Sequence, residues 1–166
     1  LIAANCFIPG KLKCVGPDRD MPRLMKYAQT AIKRAGAAGI EAMVFGSGGS
    51  RRVPDGFPRQ EATDQMIDFA TQIAPLATAA GVVIVIEPLN SGETNLVNSL
   101  AEGARIVEAV GQDSVKLLAD VFHMLRDGED PGEIVKYGSM LRHAHIAEKE
   151  NRTAPGVKGD DFGPYF

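Results

Sequence analysis

The sequence VVIVIE at positions 82–87 decides the fold prediction. Residues 82–86 are all β-branched, which favours an extended strand. Because both faces of a strand are buried when helices cover a parallel sheet, an uninterrupted apolar strand is typical of that architecture. The run passes directly into Glu87, so an ionisable group lies at the carboxyl end of the predicted strand.

Helical and strand patterns alternate on both sides of this stretch. Further strands are predicted at 2–7, 42–45, 115–119 and 141–146, and helices at about 21–38, 59–80, 97–107 and 131–138. Strands separated by helix-length segments indicate right-handed βαβ units and a parallel sheet. The predicted class is α/β, with residues 1–166 in a single domain and a loose tail after about residue 150. Element order alone does not distinguish an open doubly wound sheet from a (β/α) barrel.

The composition limits the classes of function. Hydrophobic residues make up 45% of the 166 residues and charged residues 23%, which argues against disorder, collagen and coiled coil. Lysine and arginine number 18 against 21 aspartates and glutamates, for a net charge of −3. This balance lacks the basic surface expected of a nucleic-acid-binding protein, so no nucleic-acid partner is expected.

The cysteines and the apolar runs bear on the compartment. Cys6 and Cys14 are too few to form a disulfide framework, which favours a reducing, cytoplasmic location, although a bond between the two remains open. No apolar run reaches the ~18 residues that a membrane span requires. We therefore expect no membrane partner.

Three strands in succession end at a residue able to bind a metal. Glu87 follows 82–86, Asp120 follows 115–119, and His145 lies near the end of 141–146. In a (β/α) barrel the carboxyl ends of the strands converge on one face, where these side chains could share a ligand. Two carboxylates and an imidazole suit a divalent cation of the Mn, Mg, Co or Zn type. Taken singly, each also has a structural interpretation: a loop cap, a helix N-cap and a hydrogen-bonded core histidine, in that order.

The same segments resemble a known family. The motifs are EPLN at 87–90 with Glu93, DVFHM at 120–124, and HAH at 143–145 followed by Asn-Arg at 151–152. Together they resemble the sugar phosphate isomerase/epimerase superfamily with the xylose isomerase-like TIM barrel. That superfamily includes ketose 3-epimerases, hydroxypyruvate isomerase and, more distantly, the type IV endonucleases. The resemblance extends over about residues 1–166.

The resemblance implies a metal site and a reaction. Glu87, Asp120 and His145 match three of the family's four metal ligands, and Glu87 also matches one of its two catalytic acid/base carboxylates. The fourth ligand, a glutamate on the last strand, has no counterpart. The implied reaction is proton transfer at a carbon next to a carbonyl, through an enediolate, in a ketose, a sugar phosphate or a related hydroxy-carbonyl compound.

The resemblance also implies a binding site for a small-molecule sugar or sugar-phosphate substrate. Glu93, His123 and Arg152 match positions that hold substrate hydroxyls and the carbonyl end. The Asn-Arg pair lies one residue further from His145 than in the epimerase pattern. For His123 a surface loop position remains the alternative.

Two further features have both a structural and a functional interpretation. His143 lies two residues before His145 and therefore on the same strand face, where it would either orient a ligand or fill the barrel. The glycine-rich segment 46–50, followed by Arg51 and Arg52, could bind a phosphate or carboxylate. The favoured interpretation of that segment is a flexible turn with solvated arginines.

Two other functions remain as alternatives. An endonuclease IV-like metal phosphodiesterase would need more histidines and carboxylates for three zinc ions, and this sequence has 3 histidines. A non-catalytic sugar- or metal-binding fragment is the second alternative.

The length bears on the extent of the barrel. A complete (β/α) barrel takes about 250 residues and eight strands, whereas five strands are predicted here, which resemble the third to the seventh. We expect two strands to precede this sequence and one to follow it, so that the barrel is partial. Because unpaired edge strands tend to associate, a homo-oligomer is expected.

Overall fold

A five-stranded parallel sheet forms the centre of the computed structural model, which describes residues 2–166. The strands are β1 (Ala3–Ala4), β2 (Ala42–Phe45), β3 (Val83–Ile86), β4 (Val115–Asp120) and β5 (Leu141–His145). Their order in the sheet is their order in the chain, and all neighbours pair in parallel. A doubly wound sheet would reverse its strand order at a switch point, whereas a barrel does not. The α/β class and the partial barrel are thus confirmed.

Six α-helices connect or follow the strands. They are α1 (Met21–Ala37), α2 (Gly48–Arg51), α3 (Arg59–Ala80), α4 (Leu100–Val110), α5 (Val121–Asp127) and α6 (Gly132–Lys136), with 3₁₀ turns at Gly138–Met140 and Gly163–Tyr165. The long helices agree with the predicted periodicity. Two short helices, α2 and α5, were not predicted.

Side chains at the helix ends explain several boundaries. Asp20 and Ser99 cap α1 and α4, because the side-chain oxygen of each accepts a hydrogen bond from the backbone N–H three residues later. Gly81 ends α3 with a φ of +68°, a backbone conformation that glycine adopts without strain.

The first strand is shorter than predicted. The sequence indicated a strand over 2–7, but Cys6 has a φ of +59° and interrupts the extended backbone. Pairing with β2 resumes one residue later, where the N–H of Phe7 donates to the carbonyl oxygen of Val44 at 3.1 Å.

Alternate strand residues separate a helix-facing core from a smaller inner cluster. Phe45, Ile86 and Ala119 belong to the large core against the helices. The inner cluster contains Ala42, Val44, Val85 and Leu118. Since successive strand residues point to opposite faces, the residues that follow Ile86 and Ala119 point to the inner side of the sheet.

The helices and the two cysteines bear on the membrane and disulfide expectations. Within residues 2–166 the structure contains no helix with the length and hydrophobicity needed to cross a membrane. Cys6 and Cys14, both inside that range, are free thiols, so the disulfide left open by the sequence is not formed.

Candidate metal and substrate site

The structure brings Glu87, Asp120 and His145 together at the carboxyl ends of β3, β4 and β5. One ligand atom from each lies within 4.8 Å of the other two. The Nδ1 atom of His145 is 2.9 Å from Oε1 of Glu87 and 3.6 Å from Oδ2 of Asp120. Nδ1 is therefore the ring nitrogen that faces both carboxylates.

Glu87 is held in a narrow space at the end of β3. Glu87 is only 6% exposed, and a β-carbon added at Gly46 would overlap its Oε2 atom. Gly46 directly follows β2, so the neighbouring strand has no side chain at the position that the carboxylate occupies. The glycine thus provides the room that the Glu87 carboxylate needs.

Asp120 has a structural and an electrostatic role at once. Its Oδ1 atom accepts a hydrogen bond from the N–H of Phe122 at 2.9 Å and so caps α5, while Oδ2 faces the site. Burial raises the pKa of Asp120, but the neighbouring His145 ring and the charges of His123 and Arg152 outweigh burial and lower it. Both interpretations of Asp120 therefore hold, because one carboxylate oxygen caps the helix and the other faces the candidate metal site.

His145 carries a proton when no metal is bound. The neighbouring carboxylates of Asp120 and Glu87 raise its pKa to about 9, so at neutral pH the ring is an imidazolium. An imidazolium cannot ligate a metal, and a cation that binds here must replace the proton on Nδ1. Two carboxylates and one imidazole that converge in this way fit a divalent cation.

His123 is buried, so the surface-loop interpretation was wrong. Its residue is 3% exposed, and its Nδ1 atom accepts a hydrogen bond from the N–H of Asn90 at 3.1 Å. Because a backbone N–H can only donate, the neutral ring carries its hydrogen on Nε2, which lies 3.5 Å from Oδ2 of Asp120. Burial lowers the pKa of His123 and keeps the ring neutral.

The three predicted substrate residues form a second cluster beside the first. Oε1 of Glu93 lies 3.8 Å from Nη1 of Arg152 and 4.0 Å from Nδ1 of His123. Asn90, which sequence reasoning did not assign, joins them because its Nδ2 atom donates to the same Glu93 oxygen at 3.1 Å. The only sequence signal for Asn90 was its place in the EPLN motif.

The cluster borders an open depression of about 390 Å³. The lining residues are Asn90, Gly92, Glu93, Phe122, Arg126, Lys149, Asn151 and Arg152. This volume falls within the range of about 300–1,000 Å³ that is usual for small-molecule sites. Glu93 and Arg152 have half-exposed side chains that face solvent here, whereas Asp120 lies deeper.

Arg152, the residue whose spacing from His145 fitted the sequence resemblance least well, reaches the site. Asn151 and Arg152 both adopt left-handed backbone conformations, with φ values of 58° and 52°. The guanidinium packs 4.6 Å from the ring centre of Phe122, and Nη2 donates to Oδ2 of Asp120 at 3.1 Å. Phe122 is a platform for this arginine that sequence reasoning missed.

The loop that carries Arg152 is organised around Glu148. This residue is fully buried, and its Oε1 atom accepts hydrogen bonds from the N–H groups of Gly156 at 2.6 Å and Gly159 at 3.2 Å. Lys158 also donates its N–H to the Glu148 carboxylate. Residues 149–160 therefore form a folded loop rather than the loose tail that their composition indicated.

The glycine-rich segment is a structural element, not a flexible turn. Residues 48–51 form α2, and Arg51 is completely buried with its donors on backbone carbonyls. Arg52 is exposed and donates to the carbonyl oxygen of Glu93 at 2.9 Å. Arg51 is thus neither the anion-binding residue nor the solvated residue that the sequence suggested.

His143 lies next to His145 on the inner side of β5. The two rings pack edge to face with their centres 5.1 Å apart. Burial and the charge of His145 lower the pKa of His143. The ring therefore contacts a candidate ligand directly, which agrees with either of its two sequence interpretations.

This arrangement defines a partial (β/α) barrel with carboxylates and an imidazole at the carboxyl ends of its strands. Residues 5–166 match the family model described as xylose isomerase-like TIM barrel, so the chain belongs to that family. The resemblance drawn from the sequence motifs is confirmed.

Individual proteins show the same relationship. The chain is 38% identical over 85 residues to D-psicose 3-epimerase of Agrobacterium fabrum, a match that covers 51% of this chain and 29% of that protein. It is 33% identical over 110 residues to L-ribulose 3-epimerase of Mesorhizobium japonicum, covering 66% and 37%. A crystal structure of D-psicose 3-epimerase in the presence of D-fructose superposes with a TM-score of 0.85 at 21% identity, over 98% of this chain and 57% of that one. The aligned segments thus span about a third of the length of these two curated relatives, and the superposition spans 57% of the solved chain.

Proposed function

We propose that this protein is a divalent-metal-dependent isomerase or epimerase that acts on a ketose, a sugar phosphate or a related hydroxy-carbonyl compound. The observation that carries the proposal is the convergence of Glu87, Asp120 and His145 at three neighbouring strand ends. The relatives named as ketose 3-epimerases support the choice of substrate class.

The same three residues would hold the metal. Glu87 and Asp120 would each contribute a carboxylate oxygen and His145 its Nδ1 atom, a mixed set that suits Mn, Mg, Co or Zn. When bound, the cation supplies positive charge next to the substrate oxygens on which negative charge develops.

Glu87 is the proposed acid/base residue. Its carboxylate points to the inner side of the sheet and is shielded from bulk water, so it can take a proton from the carbon next to the carbonyl and return it. Removal of that proton leaves an enediolate. Return to the other carbon, together with transfer of the hydroxyl proton from one oxygen to the other, gives an isomer. Protonation of the same carbon from the opposite face requires a second acid/base group and gives an epimer.

Three side chains of mixed character are proposed to bind the sugar hydroxyls. Neutral His123 offers an Nε2 hydrogen, Arg152 offers several guanidinium donors, and the Glu93 carboxylate accepts hydroxyl hydrogens. A small-molecule sugar or sugar phosphate in the adjoining depression would contact Glu93 and Arg152, which line it, and His123 would be reached only by a hydroxyl that enters the buried end of the site beside Asp120. The absence of a nucleic-acid partner and the formation of a homo-oligomer remain predictions from the sequence.

The test compares wild type with Glu87→Gln and with a matched control, Glu108→Gln, on the exposed face of α4. Each chain is titrated with Co²⁺ and then incubated with D-fructose and other ketoses in D₂O, with deuterium incorporation followed by NMR. We expect Glu87→Gln to weaken Co²⁺ binding and to slow exchange at least about 100-fold, in line with the loss of a general base, while Glu108→Gln behaves as wild type.

The same experiment separates the alternatives. Retained exchange and Co²⁺ binding in Glu87→Gln would contradict the assigned role. Metal-dependent hydrolysis of bis(p-nitrophenyl) phosphate without ketose exchange would indicate the phosphodiesterase. A wild-type chain that binds no Co²⁺, Mn²⁺ or Zn²⁺ would indicate a non-catalytic fragment.

A further inference from the structure

Arg51 lies buried under the candidate site and has no role in the proposed reaction. Its side chain is fully enclosed, and its Nη2 atom donates to the carbonyl oxygen of Glu87 at 2.7 Å and to that of Val97 at 3.3 Å. Its Nη1 atom donates to the carbonyl oxygen of Phe45 at 3.1 Å. All three acceptors therefore belong to the main chain.

Burying a charged guanidinium on neutral carbonyls costs free energy, because the charge loses its hydration. Burial lowers the pKa of Arg51 to about 10, so the group still carries its charge at neutral pH. Its Nε atom has no hydrogen-bond partner among the described residues. An apolar side chain would avoid these costs, but it could not bind the three carbonyl oxygens.

The three carbonyls belong to the segments that build the site. Phe45 is the last residue of β2, and Glu87 directly follows β3. Val97 has a φ of +60°, and its carbonyl oxygen also accepts a hydrogen bond from the N–H of Leu89 at 3.1 Å, which closes the segment 89–97 into a loop. One side chain thus joins two strand ends to the loop that carries Asn90 and Glu93.

We propose that Arg51 is a positioning residue that fixes the main chain at Glu87 and thereby holds its carboxylate between Gly46 and His145. The proposal rests on the proposed role of Glu87 in binding metal. A ligand whose main chain can shift loses its alignment, and loss of such supporting contacts typically lowers metal affinity by about 10- to 100-fold.

The test uses Arg51→Met and Arg51→Lys with Arg19→Met as the matched control. Arg19 is also a largely buried arginine with an unpartnered Nε atom, but it pairs with Asp68 on α3 at 2.6 Å, outside the site. Each variant is examined by urea unfolding, by native-state hydrogen exchange of individual amides, and by Co²⁺ titration. Hydrogen exchange reports on the main chain whether or not the metal site exists.

In Arg51→Met we expect the amides of Glu87 and Leu89 to lose protection beyond the change in global stability, and Co²⁺ affinity to fall about 10- to 100-fold. Lysine keeps the charge but reaches fewer carbonyls, so Arg51→Lys should be intermediate. Arg19→Met should lose stability while keeping both the local protection and the Co²⁺ affinity. If Arg51→Met does not fold, the same comparison is made with Arg51→Lys.

Two results would overturn the proposal. One is that, in the Arg51 variants, the amides of Glu87 and Leu89 lose only as much protection as the fall in global stability explains, as is expected for Arg19→Met. The other is altered amide exchange at Glu87 and Leu89 in an Arg51 variant whose Co²⁺ affinity equals that of the wild type. If the wild-type chain binds no Co²⁺, the proposed function fails, whereas the exchange data still decide whether Arg51 fixes the main chain at Glu87.

Discussion

At Gly46 a β-carbon would overlap Oε2 of Glu87, so the smallest residue in the chain determines where a carboxylate can lie. Its φ is not positive, so the backbone conformation at Gly46 does not itself require glycine. Its importance is therefore steric and local. A substitution there should affect the site without straining the main chain.

We expect Gly46→Ala to displace the Glu87 carboxylate and to lower Co²⁺ affinity by about tenfold or more, as happens when a ligand loses its alignment. The measurement is a Co²⁺ titration, with circular dichroism to verify folding. Gly138→Ala is the control, because a β-carbon at Gly138 meets nothing within 4 Å. Equal affinities for the two variants would show that Glu87 tolerates the extra methyl group.

The two cysteines should differ sharply in reactivity. Burial raises the pKa of the Cys14 thiol to about 11, so at pH 8 only about one thiol in a thousand is ionised there, and the residue is also inaccessible. Cys6 is exposed. We expect a thiol reagent such as DTNB to modify one thiol per folded chain at pH 8 and none in Cys6→Ser. Rapid modification of Cys6→Ser without denaturant would contradict this burial.

Individual site residues differ in how far the sequence could predict them. Glu87 and Asp120 could be placed because each ends a β-rich run, and the geometry of parallel strands then brings such ends together. Arg51 could not be placed, since its carbonyl partners lie as far as 46 residues away and an arginine after glycines is usually exposed. Glu148 was missed because its partners are backbone amides of the following loop, 8 to 11 residues later, and amides leave no pattern in the sequence.

At the scale of elements, α1 and α3 meet through a glycine. A β-carbon at Gly36 of α1 would lie 2.5 Å from the carbonyl oxygen of Ala80, at the end of α3. Because the obstacle is backbone rather than a flexible side chain, the helices would have to move apart. The close approach of the two helices thus depends on the absence of a side chain at this position.

Gly36→Ala should consequently destabilise the protein although alanine is the better helix former. Helix propensity favours alanine by about 1 kcal/mol, but overpacking typically costs about 1–3 kcal/mol. We expect a net loss in the free energy of unfolding, measured by urea denaturation. Lys33→Ala, at an exposed position of α1, should change stability by no more than about 0.5 kcal/mol. A net gain in stability for Gly36→Ala would refute the packing argument.

The long elements could be predicted because their periodicity extends over several turns, as in α1 and α3. The short α2 and α5 could not, since four or seven residues carry too little pattern. Helix α5 begins where β4 ends, and its N-terminus is capped by the hydrogen bond that the N–H of Phe122 donates to Oδ1 of Asp120. β1 was predicted too long because nothing local indicates the left-handed backbone at Cys6.

For the molecule as a whole, the five described strands leave the sheet open at β1 and β5. Edge strands expose backbone N–H and C=O groups that can pair with another chain. Ile2, next to β1, is 69% exposed, and Ile146, next to β5, is 40% exposed. Both edges therefore combine unpaired backbone groups with an exposed apolar side chain.

We expect the 166-residue chain to self-associate in a concentration-dependent manner, which sedimentation velocity would detect. Ile2→Lys should weaken the association, because a charged lysine beside an edge strand opposes pairing. The control is Tyr27→Lys, a change at an exposed position on α1 that does not adjoin an edge strand. A monomer at all concentrations would contradict the expected homo-oligomer.

The candidate metal ligands and Arg152 lie on different kinds of structural element. The candidate metal ligands lie at the ends of strands, whose spacing the sheet fixes, whereas Arg152 lies on the 149–160 loop, which the buried carboxylate organises. Insertions in such a loop can therefore alter a proposed sugar contact and leave the metal ligands where they are. Sequence changes confined to this loop would therefore alter the proposed sugar contacts and leave the proposed metal ligands in place.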